Sequence, residues 1–149
     1  STGAVGTAST SIGEDITPTG VSATGQVGDV TAFPIEATYT ITVNNPGSGN
    51  LFYQDGSHPG SAGRDITEGL VYRYDQSDSS NSGHPLRFST TPDGTHGGGV
   101  EYTTGVTYVG TPGSAGAYTQ IEVAIGAPTL YTYCSVHSGM GYKVNTVAP

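Results

Sequence analysis

Tyr131-Thr-Tyr-Cys-Ser-Val-His-Ser-Gly-Met140 holds the only cysteine and the only methionine of the chain, spaced C-x2-H-x2-M around a histidine. The flanking segments, Thr129–Cys134 and Tyr142–Val147, read as short strands, so the three groups belong to a tight loop that can aim them at one centre. A chain that places its one thiol and its one thioether beside the same imidazole is not using them for packing alone. A fourth group of the same kind, His84, stands in Ser82-Gly-His-Pro-Leu-Arg-Phe88, at the start of another expected strand. Two imidazoles, a thiolate and a weak thioether are the ligand set that suits a mononuclear copper ion able to change oxidation state. Structural zinc more typically shows further cysteines or histidines, and covalent haem attachment needs a second cysteine. The competing reading makes Cys134 a small buried hydrophobe with both histidines satisfied by backbone groups.

Outward from this loop, composition settles the class. The chain has 149 residues, 24 of them glycine and 9 proline, and it lacks the Ala-, Leu-, Glu- and Lys-rich periods of helices. The expected class is all-β. Twelve acidic residues against four basic ones give a net charge of −8. Because Arg64, Arg73, Arg87 and Lys143 are scattered, neither nucleic acid nor an anionic membrane is an expected partner. A single cysteine forms no internal disulfide, so added stability must come from packing, a metal or assembly. No apolar run is long enough to span a bilayer, and no basic, apolar signal segment opens the sequence.

Residues 1–33 form a low-complexity arm of Gly, Ser, Thr, Ala and Val in which Thr2-Gly-Ala-Val-Gly6 recurs as Thr24-Gly-Gln-Val-Gly28. Such an arm is either a flexible linker or an extended segment that adds a strand to a neighbouring subunit. From Ile35 the period becomes two, with Ile35, Ala37, Tyr39, Ile41 and Val43 on one face and Glu36, Thr38, Thr40 and Thr42 on the other. Further strands are expected at Leu51–Gln54, Leu70–Asp75, Leu86–Thr90, Val100–Thr104, Tyr118–Ile125, Thr129–Cys134 and Tyr142–Val147. This spacing of short strands and turns predicts a two-sheet sandwich over residues 34–149.

From Ile35 to Val147 the chain resembles the cupredoxins, the blue-copper domains typified by plastocyanin and amicyanin. The resemblance rests on Glu68-Gly-Leu-Val-Tyr-Arg-Tyr74, on Gly83-His84, and on Tyr131 to Gly141 with Val144 and Val147 beyond. It implies a Greek-key β-sandwich with His84 and His137 as equatorial nitrogen ligands, Cys134 as the thiolate and Met140 as the axial ligand of copper. The segment from Thr91 to Gly116 is longer and richer in glycine than that of a compact electron carrier. A second resemblance, carried by Gly20–Thr31, Asp75–Thr91 and Tyr133–Gly141, is to modules of structural proteins from marine tailed bacteriophages, cyanophages among them. It implies a virion component, such as a head decoration or fibre, or a filament subunit, in a virion or extracellular setting. The partners would then be copies of the chain or other virion proteins, reached through the arm, with the metal serving stability.

Asp75, Asp78 and Asn81 are spaced to offer oxygens to calcium, but no EF-hand glutamate follows, and a solvated turn accounts for them. His58 and His96 read as surface residues of glycine-rich loops without ligand-type neighbours. Packing accounts for Tyr39, Tyr72, Tyr74, Tyr131 and Tyr133. No nucleophile elbow and no pair of carboxylates beside a histidine is present, and an enzyme is not expected.

Overall fold

The computed structural model describes residues 33–149, which form nine strands and two short 3-10 turns. The strands are β1 (Ile35–Asn44), β2 (Leu51–Gln54), β3 (Arg64–Thr67), β4 (Val71–Asp75) and β5 (Leu86–Ser89), followed by β6 (Val106–Val109), β7 (Tyr118–Glu122), β8 (Leu130–Cys134) and β9 (Lys143–Val147). Apart from Phe33, the expected arm over residues 1–33 lies outside the described residues, as does its repeat.

One mixed sheet of five strands runs in the order β2-β1-β4-β7-β6, and a second of four runs β3-β9-β8-β5. β1 is parallel to β4 and β3 to β9, while the other pairs are antiparallel. The sheets bury their inner faces against one another. Ile41, Phe52, Tyr74 and Ile121 from the first meet Ile66, Leu86, Phe88, Leu130 and Val144 from the second in one fully buried cluster. Each large apolar side chain so buried contributes roughly 1.5–3 kcal/mol. The alternation in β1 is visible in its burial from Ala37 onward: Ile41 is buried, Ala37, Tyr39 and Val43 are half-buried, and Thr38 and Thr40 face solvent, whereas Ile35 at the start of the strand is exposed and Thr42 is half-buried.

Two departures from the expected strands have physical causes. Val100–Thr104 is not a strand. Val100 is 75% exposed, and Glu101 makes only an isolated bridge to Ser89 and accepts a hydrogen bond from the Tyr108 hydroxyl at 2.6 Å. This segment crosses from the second sheet to the first. The chain then turns at Gly105, whose φ of 71° suits a residue without a side chain, and the strand follows as β6, where Val106 faces Ile121 of β7. Arg64–Thr67, not expected as a strand, becomes one because it pairs in parallel with β9 and seals Ile66 into the core.

Two buried tyrosines behave oppositely. The Tyr142 hydroxyl donates to Gln54 Oε1 at 2.7 Å, whereas the Tyr74 hydroxyl, equally buried, has no partner among the described residues. An unsatisfied buried polar group costs about 1–3 kcal/mol. Tyr74→Phe is therefore expected to raise the stability by about 1 kcal/mol and Tyr142→Phe to lower it by a similar amount or more, as read from denaturant unfolding. Burial pushes both phenols above their ordinary value of 10.0. The folded state therefore favours the neutral phenol, and its contribution, complete below pH 10, is lost as the pH rises beyond it. The alkaline loss of stability is expected to shrink in both variants.

Candidate metal centre

The second sheet brings the ligand-type residues together. β5 and β8 are antiparallel with Leu86 opposite Cys134, so His84, just before β5, comes beside the cysteine that ends β8. Cys134 is fully buried, His84 is half-buried and His137 is exposed. The Sγ of Cys134 lies 3.9 Å from Nδ1 of His84 and 3.8 Å from Nδ1 of His137, and the three ligand atoms all lie within 4.8 Å of one another. Donors at ordinary metal–ligand lengths of about 2.0–2.3 Å from one centre, and about 120° apart around it, stand roughly 3.5–4.0 Å from one another. The two sulfur–nitrogen separations fit that spacing. Met140, at the far end of the loop, is 1% exposed and belongs to the same buried cluster as Cys134.

One of the donors is also in a suitable electronic state. Burial, and then the neighbouring His137 ring, hold the His84 imidazole below its ordinary pKa of 6.5, so its lone pair is free at neutral pH, as metal binding requires. The backbone amide of Val136 donates to Cys134 Sγ at 3.4 Å, which fixes the position of the sulfur. A buried sulfur, two converging nitrogens and a neutral His84 form a group that can hold a metal ion.

Buried amides position the first of these ligands. The polar stretch from Asp75 to Asn81 is the solvated turn expected of it only around Asp78 and Ser79, which are exposed, whereas Gln76 and Asn81 are buried. Asp75 accepts from the amide and hydroxyl of Ser77, and Asp78 caps the 3-10 turn Ser79–Asn81 through the amide of Ser80. Asn81 is fully buried, and its Nδ2 donates to the Ile41 carbonyl at 2.7 Å. Each of the three side chains thus holds nearby backbone in the protein. Gln76, which no local pattern marks in the sequence, is 1% exposed and brackets the His84 turn: its Nε2 donates to the His84 carbonyl at 2.9 Å and its Oε1 accepts from the Leu86 amide at 3.0 Å. The His84 amide donates in turn to the Asn81 carbonyl at 2.8 Å.

Both histidines expected at the surface without functional neighbours contact the surroundings of the site. Nδ1 of His58 bonds the Phe52 carbonyl at 2.8 Å, and the Phe52 amide donates to the Met140 carbonyl at 2.9 Å. Nε2 of His96 bonds the Cys134 carbonyl at 3.0 Å. Proximity of this kind leaves no mark in local sequence; the run of glycines around His96, which allows backbones to approach, was the available sign.

The chain matches no protein-family model and no curated protein sequence.

Proposed function

We propose that residues 34–149 are a cupredoxin-like Greek-key sandwich that binds one copper ion through His84, Cys134, His137 and Met140, and that the chain is a structural subunit of a virion or an extracellular filament. The observation that carries the metal reading is the convergence of two imidazole Nδ1 atoms on the buried Cys134 sulfur, at 3.8 and 3.9 Å. Two imidazoles and one thiolate with a thioether nearby favour copper over zinc, and bound copper supplies either a cross-link or a one-electron redox couple. His84 and Cys134 join the start of β5 to the end of β8, while His137 and Met140 belong to the loop that leads into β9. A metal held by all four cross-links three strands of one sheet and stabilises the fold by binding only the folded state.

Two features of the sequence support assembly: the low-complexity arm over residues 1–33, with its Val- and Thr-containing repeat, and the resemblance of three segments to phage structural modules. An arm of this composition is suited to strand addition on a neighbour, through main-chain hydrogen bonds that need few large side chains. The second reading, a soluble one-electron carrier, is favoured by the exposure of His137 and of Val136, which is 57% exposed, since both would lie at a docking surface.

Electron microscopy and light scattering separate the two. The full chain is expected to form particles or filaments, and a variant lacking residues 1–33 to remain monomeric with its β circular dichroism intact. Assembly that persists without the arm removes the arm from the proposal, and a full chain that stays monomeric while exchanging electrons rapidly in its copper form favours the carrier.

A further inference from the structure

We propose that the glycine-rich loop Thr91–Gly99 is a clamp that presets the ligand loop, with Asp93 and His96 as positioning residues; the metal-dependent part of this proposal rests on the copper reading above. One short segment fastens the ligand loop near both of its ends. His96 Nε2 lies 3.0 Å from the carbonyl of Cys134, and Oδ1 of Asp93 accepts from the amide of Gly139 at 2.8 Å. A carbonyl only accepts, so Nε2 carries the proton in this contact. Neither contact involves a ligand atom. Both hold backbone, one on the cysteine itself and one beside Met140, with His137 carried between them.

The loop is built to make this approach. A Cβ at Gly94 would collide with the Tyr133 ring, one at Gly97 with the Pro92 carbonyl, and one at Gly99 with the Thr91 side chain. The His96 ring stands edge-on to Tyr133, with ring centres 6.4 Å apart. At its base the Thr91 amide donates to Ser89 Oγ at 3.1 Å, which ties the loop to β5. Asp93 adopts a left-handed φ of 59°, a conformation that glycine accepts freely and that strains residues with a side chain. What the aspartate adds over glycine is its carboxylate, and a charged acceptor on a backbone amide makes one of the stronger hydrogen bonds. Ser135 to Gly139 are all exposed, so little apolar packing restrains this stretch. The Ser135 amide is held by the Pro85 carbonyl at 3.1 Å and the Val136 amide by Cys134 Sγ; the clamp adds the restraint at Gly139, and metal binding then need not order the loop.

The test begins with the metal-free full chain. Amide hydrogen exchange at Gly139 is expected to quicken roughly tenfold or more in Asp93→Ala, with exchange in β5 and β8 unchanged, and Asp93→Asn, which keeps an acceptor oxygen, is expected to restore protection. In the copper-loaded protein Asp93→Ala and His96→Ala are each expected to weaken Cu(II) binding by about 10-fold to 100-fold and to shift the visible thiolate absorption, with His96→Gln, which retains a donor, recovering most of the loss. Unchanged Gly139 exchange in Asp93→Ala overturns the proposal, as does a uniform rise in exchange through all strands, which would mark a general loss of stability. If the unsubstituted chain takes up no copper, the copper reading fails, while Gly139 exchange in the metal-free chain still decides whether the clamp exists.

Discussion

Replacing Cys134 by alanine is expected to abolish an intense absorption near about 600 nm that Cu(II) induces in the unsubstituted protein, together with the rise in unfolding temperature that accompanies it. The absorption is a transfer of charge from thiolate to copper, and Cys134 is the only sulfur of that kind in the chain. At a free metal concentration of about 100 times its dissociation constant, binding to the folded state alone adds about 2.7 kcal/mol, which for a domain of this size raises the midpoint by on the order of 10 °C. The metal-free alanine variant should lose far less, because only one sulfur atom is removed from the core. Met140→Leu supplies the contrast. Leucine is close in volume and keeps the thiolate and both imidazoles, so the band should persist, altered in position, with weaker binding. Protein that gains neither colour nor thermal stability with Cu(II) would reduce these four residues to packing.

The ligand-type residues were legible in sequence because their chemistry resides in residue type and because three of them lie in one loop, where the chain needs only a turn to gather them. β1 was legible for a similar reason: Ile35 to Val43 alternate in polarity, and that alternation is local. Gln76 and Asn81 were not. Nothing in the composition of Asp75-Gln-Ser-Asp-Ser-Ser-Asn81 separates amides that are sealed beneath a ligand from those of an exposed turn, because burial here is imposed by β1 and by the His84 turn closing over them. β3 was hidden for the opposite reason. Its one large apolar side chain, Ile66, shows no period, and its strand character comes from β9, its partner far along the chain. The role of His96 was hidden likewise, since Cys134 lies beyond β6 and β7 in sequence and meets it only when a loop almost without side chains folds onto Tyr133. What sequence concealed was the support of the site.

Gln76→Ala is expected to destabilise the metal-free protein by about 3–5 kcal/mol, although Gln76 touches no ligand atom. The substitution removes three hydrogen bonds at once: to the His84 carbonyl at 2.9 Å, to Asn81 Oδ1 at 3.2 Å, and from the Leu86 amide at 3.0 Å. It leaves two backbone groups and a buried amide oxygen without partners, each at about 1–3 kcal/mol, and opens a cavity beside Leu86 and the rest of the core. Against a total stability of about 5–15 kcal/mol for a domain, that loss is a large fraction. Gln76→Glu is the more discriminating change because it leaves no cavity. One carboxylate oxygen can still accept from Leu86, but the other would face the His84 carbonyl and Asn81 Oδ1, acceptor against acceptor, with a charge buried between them. It too is expected to unfold early, with its deficit largest at neutral pH and smaller where the carboxyl is protonated. The bracketing of His84 by Gln76 also predicts weaker metal binding in both variants, because the imidazole would be carried by a loosened turn. Cys134→Ala should remove the metal while leaving most of the metal-free stability, whereas Gln76→Ala should remove stability first and metal affinity as its consequence. Denaturant unfolding and Cu(II) titration measured on both variants test this order, and an unaltered unfolding midpoint in Gln76→Ala would show that the buried amide does not hold the His84 turn.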